Sequence, residues 1–171
     1  MNYATIKPWD IANGPGVRVS LFVSGCTHHC KDCFNPEAWD FDYGEPFTEA
    51  VMEHILELLR PDYIRGITYL GGEPFDPHNQ PGLLALTQKI RAAYPEKSIW
   101  SFTGYVYGQN LPQLPGVTDA LLTGLDVLVD GPFIAARKNL GLRFRGSDNQ
   151  RLIDLPKTLK TGAVVLWDET Q

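Results

Sequence analysis

Val17-Arg18-Val19-Ser20-Leu21-Phe22-Val23 runs through Ser24-Gly25 directly into Cys26-Thr27-His28-His29-Cys30-Lys31-Asp32-Cys33-Phe34. The first seven residues alternate. Val17, Val19, Leu21 and Val23 fall on one face, and Arg18, Ser20 and Phe22 on the other. That period of two predicts a β-strand. Ser24-Gly25 ends it, so the following loop hangs from the strand's C-terminal end, where folds of β/α units build their active sites. The loop holds all three cysteines of the chain, spaced C-x3-C-x2-C. Thiols this close together can serve one metal centre, and soft thiolates select zinc, copper(I) or iron–sulfur clusters. A structural zinc site closes with four ligands, and His28 or His29 would supply the fourth. A [4Fe–4S] cluster usually takes four cysteines, so three leave one iron open to a small chelating molecule. Outside a zinc site, the two histidines read as solvated loop residues.

Composition narrows the class. The 171 residues are 43% hydrophobic and 20% charged, the balance of an ordinary globular chain, and predict a single domain over residues 1–171. The formal net charge of −5 lacks the basic face that nucleic acid needs. No apolar run approaches a membrane span. Met1-Asn2-Tyr3-Ala4-Thr5 has neither the charged nor the apolar region of a signal peptide. Three cysteines at metal spacing do not form a disulfide framework, which points to a reducing, cytoplasmic setting.

Outward from the opening strand, residues 1–16 read as irregular and end in the turn Asn13-Gly14-Pro15-Gly16. Thr48 is placed to cap a helix reaching Leu59, with Val51, Ile55, Leu58 and Leu59 on one stripe. Ile67 to Leu70 is a strand ending at Gly71-Gly72-Glu73-Pro74. A second helix covers 82–94, and Ile99 to Thr103 is a third strand. A helical turn at Thr118 to Leu122 leads to a strand over Asp126 to Val129, ending at Asp130. Late strands are expected at Leu152 to Leu155 and at Ala163 to Trp167. Alternating strands and helices predict an α/β fold with a parallel sheet. A closed barrel of this kind needs about 200–250 residues. The prediction is therefore an incomplete, laterally open (β/α) barrel of about five or six mainly parallel strands.

The cysteine spacing followed by the aromatic Phe34 resembles the signature of the radical S-adenosylmethionine (SAM) enzymes. Gly71-Gly72-Glu73-Pro74 is similar to that family's second motif, and both motifs sit at strand ends. Asn13-Gly14-Pro15-Gly16-Val17-Arg18 resembles the D-G-P-G-x-R opening of the glycyl-radical-enzyme activases. Asn13 replaces the Asp, as expected in the branch serving anaerobic ribonucleotide reductases. The stretches Asp130 to Phe133 and Leu142 to Arg151 also resemble segments of that branch.

The resemblance implies a [4Fe–4S] cluster held by Cys26, Cys30 and Cys33, with SAM chelating the open iron. One electron then cleaves SAM to methionine and a 5′-deoxyadenosyl radical. It implies that Asp32, Cys33 and Phe34 line the nucleoside pocket, and that Gly71, Gly72 and Glu73 receive the methionine amino group. Thr103 would meet its carboxylate or the ribose. The expected partner is an anaerobic ribonucleoside-triphosphate reductase, docking at Asn13, Gly14, Arg18, Asp130, Arg143 and Arg145. Reduced flavodoxin or ferredoxin would donate the electron. The chain would place a glycyl radical on that reductase. Alternatives are an activase of the pyruvate formate-lyase type, a small-molecule radical SAM enzyme and a non-catalytic zinc-binding adaptor.

Overall fold

The computed structural model describes residues 1–170. In chain order the elements are β1 (Asn2–Asp10), β2 (Val17–Val23), β3 (Glu45–Pro46), α1 (Glu49–Leu59), β4 (Ile64–Gly71), α2 (Gln80–Ala93), β5 (Ser98–Phe102), α3 (Thr118–Thr123), β6 (Val127–Asp130), β7 (Arg151–Asp154) and α4 (Leu155–Thr161). The strands form one seven-stranded sheet in the order β3-β1-β2-β4-β5-β6-β7. Its middle is parallel, from β2 through β4 and β5 to β6. Both flanks are antiparallel, and β3 and β7 end the sheet without meeting, so it stays open.

The period-two pattern sorts the two faces. Val19, Leu21, Val23, Ile67, Tyr69, Ile99 and Leu128 point one way and are buried with Ile55 and Leu59 of α1 and Leu83, Leu86 and Ile90 of α2. Each such aliphatic side chain contributes about 1.5–3 kcal/mol when fully buried. The opposite face carries a second cluster, Trp100, Val127, Val129 and Leu152, covered by Phe144 and Trp167. Trp100 meets the rings of Trp167 and Phe144 edge-on at 4.9 and 5.6 Å.

Arg18 lies on this second face and is fully buried. Its guanidinium donates to Thr68 Oγ1 at 2.9 Å, Ser98 Oγ at 2.8 Å and the Ile67 carbonyl at 2.8 Å, and it lies 5.4 Å from the Trp100 ring. Burial pulls it down to about 10, while the charges of Asp126 and Asp10 pull it back up, so it remains a cation at neutral pH. It ties β2, β4 and β5 together.

Three expectations are corrected. Residues 2–10 are a strand, not irregular, pairing antiparallel to β2. Pro8 lies between Lys7 and Asp10, where the register of that pair shifts; a strand accommodates a residue without an N–H at such an irregularity. The sheet therefore has seven strands rather than five or six. The expected strand at Ala163 to Trp167 is reduced to a single bridge between Ile153 and Leu166. Before it, Leu155–Thr161 is helical: the Asp154 carboxylate caps the Lys157 amide at 3.0 Å, and Gly162 closes the helix at φ 74°.

Candidate metal centre

The parallel middle brings four strand ends together around one cavity of about 640 Å³. Cys26, Cys30 and Cys33 line it from beyond β2, Gly71, Gly72 and Glu73 from the end of β4, Thr103 and Gly104 from beyond β5, and Gly131 from beyond β6. The two motifs, separated by some forty residues of chain, thus meet in space.

The root of the cysteine loop is held by main-chain bonds. The Gly25 amide donates to the Ala38 carbonyl at 2.8 Å, and the Glu73 amide donates to the Gly25 carbonyl at 2.8 Å. The buried Asn79 side chain donates to the Ser24 carbonyl at 2.9 Å. A Cβ at Gly72 would stand 2.6 Å from the Gly25 carbonyl oxygen and 3.0 Å from that of Ala38. The close approach at Gly72 is therefore to the loop root, not only to whatever fills the cavity.

Glu73 is 1% exposed. Its carboxylate accepts from the Phe75 amide, Thr103 Oγ1 and the Gly104 amide, each at 2.8 Å, and from His28 Nε2 at 2.7 Å. Four donors already engage the group expected to receive an amine. Thr103 is likewise a satisfied, buried hydroxyl that also accepts from the Tyr105 amide at 3.1 Å. His28 is not a solvated loop residue. Its side chain is 19% exposed and lies edge-on to Tyr105 at 4.4 Å. The hydrogen bond to Glu73 raises its pKa, against the opposing effect of burial. His29 points elsewhere and stacks on Trp39 at 4.5 Å. Nothing in the sequence distinguishes these two histidines.

Phe34 lines the cavity yet is 71% exposed, so it forms part of the rim. Phe133 lies 5.4 Å from it, and Lys138 Nζ sits 5.4 Å over its ring. Asp32 is exposed and takes a left-handed conformation at φ 60°, outside the cavity lining.

The residues expected at a docking face separate. Asn13 and Arg145 line the cavity, and Arg143 is exposed outside that lining. Arg145 Nη1 pairs with Glu169 Oε1 at 2.5 Å, and Arg143 donates to the Glu169 carbonyl. Arg18 and Asp130 are interior. Asp130, 1% exposed, accepts from the Tyr107 amide and from Arg151, which joins β6 to β7. Gly14 is buried too; its missing Cβ makes room for the Arg18 side chain, 2.8 Å from where that carbon would be. These three shape the fold beneath any contact surface.

The donor set fits a cluster that takes one protein thiolate at each of three irons. All three cysteines are free thiols on the wall of one cavity. Among the described residues, no three His, Cys, Asp or Glu side chains form a group that would hold a single metal ion. A cluster needs its thiols spread around a volume instead. Burial pushes the Cys26 thiol up to about 11, against the His28 and His29 amides, and burial also raises Cys30. Metal charge must therefore replace those protons, and loading releases them.

Comparison with known proteins places this geometry. A family model described as a 4Fe-4S single cluster domain matches residues 12–153, spanning both motifs. The chain is 43% identical over 152 residues to the anaerobic ribonucleoside-triphosphate reductase-activating protein of Escherichia coli (strain K12), covering 88% of this chain and 96% of that one. The protein of the same name from Vibrio cholerae is 42% identical, with coverage of 88% and 96%. That of Enterobacteria phage T4 is 41% identical, with coverage of 89% and 93%. The chain belongs to the anaerobic ribonucleoside-triphosphate reductase-activating proteins, radical SAM activases of glycyl radical enzymes built on a 4Fe-4S domain.

Proposed function

We propose that this chain activates an anaerobic ribonucleoside-triphosphate reductase by placing a glycyl radical on it. One observation carries the reading: the three cysteines and the Gly71-Gly72-Glu73 strand end line the same cavity at the C-terminal edge of the parallel strands. Cys26, Cys30 and Cys33 would hold the cluster. When bound, a reduced [4Fe–4S] cluster with SAM at its open iron supplies a carbon-centred radical able to take a hydrogen atom from a glycine.

The remaining work falls to side chains and backbone. The ends of β4 and β5 present Gly71, Gly72 and Thr103 to the methionine part of SAM, and Glu73 fixes their relative positions through its bonds to Thr103 and Gly104. Lys7, Lys138 and Arg145 line the same cavity and leave its wall rich in cations, which suits a ligand carrying a carboxylate. Phe34, Phe133 and Leu140 at the rim offer apolar surface for a nucleoside and for an entering peptide. The target glycine must come within contact distance of the reacting carbon, and a residue without Cβ enters such a cavity with least obstruction. The reductase docks beside the open sheet, against Asn13, Arg143 and Arg145.

The reading places the chain in the cytoplasm, where its thiols stay reduced and reduced flavodoxin or ferredoxin serves as electron donor. No helix among the described residues is long and apolar enough to cross a membrane. The test is anaerobic reconstitution with iron and sulfide, then reduction with SAM present. Bound iron and sulfide, with release of methionine and 5′-deoxyadenosine, is the expected result. Zinc without sulfide, and no SAM cleavage, would overturn it.

A further inference from the structure

His28 lies inside the C-x3-C segment but is not one of the three thiol ligands. Its imidazole reaches across the cavity wall to the ends of two other strands. Nε2 donates to Glu73 Oε2 at 2.7 Å, and the same oxygen accepts from the Gly104 amide at 2.8 Å. The ring lies so close to Gly104 that a Cβ there would stand 2.6 Å from His28 Cδ2. Tyr105 closes the other side with its ring at 4.4 Å. The loop's root is fixed by main-chain bonds at Gly25, but among the described residues no main-chain bond from Thr27 to Lys31 reaches the sheet. Besides His28, the holds there are Thr27 bonded to the Tyr105 hydroxyl, His29 stacked on Trp39 at 4.5 Å and the Phe133 amide bonded to the Cys30 thiol. His29 within that span and Asp32 just after it hold left-handed conformations, at φ 47° and 60°, a sparsely populated backbone region for non-glycine residues. With no main-chain tie to the sheet, such a loop depends on its side chains for one shape, and among its described side chains His28 alone reaches the SAM-binding strand end at Glu73.

We infer that His28 is the positioning residue of the cluster loop. It pins the Cys26–Cys30 segment to the Glu73 carboxylate, so that the thiols and the SAM-binding strand ends share one geometry. A hydrogen bond to a buried carboxylate is among the stronger kinds, and losing it also leaves a carboxylate lone pair without its donor. Cys26 is thereby held at the root through Gly25 and at mid-loop through His28, with Cys30 two residues beyond that clamp. This role rests on the activase reading for the cluster and SAM, but the clamp itself is a property of the metal-free chain.

The test uses His28→Phe, which keeps an aromatic ring against Tyr105 and Gly104 but has no donor, and His28→Gln, which restores an N–H at similar reach. The first readout is hydrogen exchange of the peptide spanning residues 26–34 in metal-free protein. His28→Phe should exchange about tenfold faster than wild type, and His28→Gln should return most of the protection. The second readout is SAM affinity of the reconstituted protein, with the change SAM causes in the electron paramagnetic resonance spectrum of the reduced cluster. His28→Phe should bind SAM about tenfold more weakly with an altered spectrum, and His28→Gln should recover both. Wild-type exchange and affinity in His28→Phe would overturn the inference. So would a His28→Gln protein no better than His28→Phe, since the ring rather than the donor would then be what matters. Wild-type protein that loads no iron–sulfur cluster would instead sink the activase reading and leave the exchange result standing.

Discussion

Replacing Gly72 with alanine tests what the second motif does. The added Cβ would lie 2.6 Å from the Gly25 carbonyl oxygen and 3.0 Å from that of Ala38. Both neighbours are backbone, and unstrained carbon contacts begin at about 3.5 Å. The strand end and the loop root must separate by several tenths of an ångström. That movement strains the 2.8 Å bonds from the Glu73 amide to Gly25 and from the Gly25 amide to Ala38. Overpacking of this kind costs about 1–3 kcal/mol, and loss of one neutral hydrogen bond adds about 1 kcal/mol. A total of about 2–4 kcal/mol corresponds to a fall in Tm of roughly 5–15 °C for a chain of this length. Gly108 is the control: its φ is +81° and nothing lies within 4 Å of its Cβ direction, so alanine there meets only backbone strain. Thermal unfolding of the metal-free proteins, followed by circular dichroism, should show the large loss at Gly72 and a smaller one at Gly108. Reconstituted iron should also fall in Gly72→Ala, because Cys26 follows the displaced root. A Gly72→Ala protein with normal Tm and normal iron but weak SAM binding would refute this reasoning and assign the glycine to the ligand alone.

Two further outcomes are expected. Burial pushes the Asp10 carboxyl up, but hydrogen bonds from Ser20, the Ala12 amide and Asn13 outweigh it and hold the group below its ordinary 3.8. Asp10 therefore stabilises the fold above pH 3.8, and that contribution disappears as pH falls through the lower folded value. Urea unfolding should find Asp10→Asn about 1.5–3 kcal/mol less stable at pH 7, with the gap narrowing below pH 4; a gap independent of pH contradicts the assignment. Changing Arg143 and Arg145 together to Glu sets two acids against Glu169 and reverses the charge beside the cavity. Glycyl radical yield and co-purification of the reductase should fall several-fold with iron content unchanged, and activation at the normal rate would place docking elsewhere.

Much of this was legible in the chain because the relevant signals are local. The alternation of Val17 to Val23 marks the strand, and the immediate succession of Cys26 fixes where the thiols emerge. What escaped depends on tertiary context. Pro8 and the polar start disguise β1, whose partner β2 supplies the pairing and tolerates the shifted register around Pro8. Asp154, Pro156 and Gly162 do carry the start and stop signals of α4, but the apolar Leu152-Ile153 before them reads as a strand reaching Leu155, one residue into that helix. Arg18 follows the period-two rule and sits opposite the valines, yet its face is covered by Trp100 and its neighbours rather than open to solvent. Periodicity assigns a residue to a face and says nothing of what covers that face. His28 and Glu73 meet across 45 positions of chain, a distance over which sequence pattern carries no register.

The measurement closest to the central claim is the electron paramagnetic resonance spectrum of an anaerobic ribonucleoside-triphosphate reductase. The reductase is incubated anaerobically with this reconstituted protein, SAM and a reductant. The account predicts a glycyl radical signal on the reductase that requires SAM and is absent with Cys30→Ala. A fully loaded protein that cleaves SAM but leaves the reductase without that signal would contradict it.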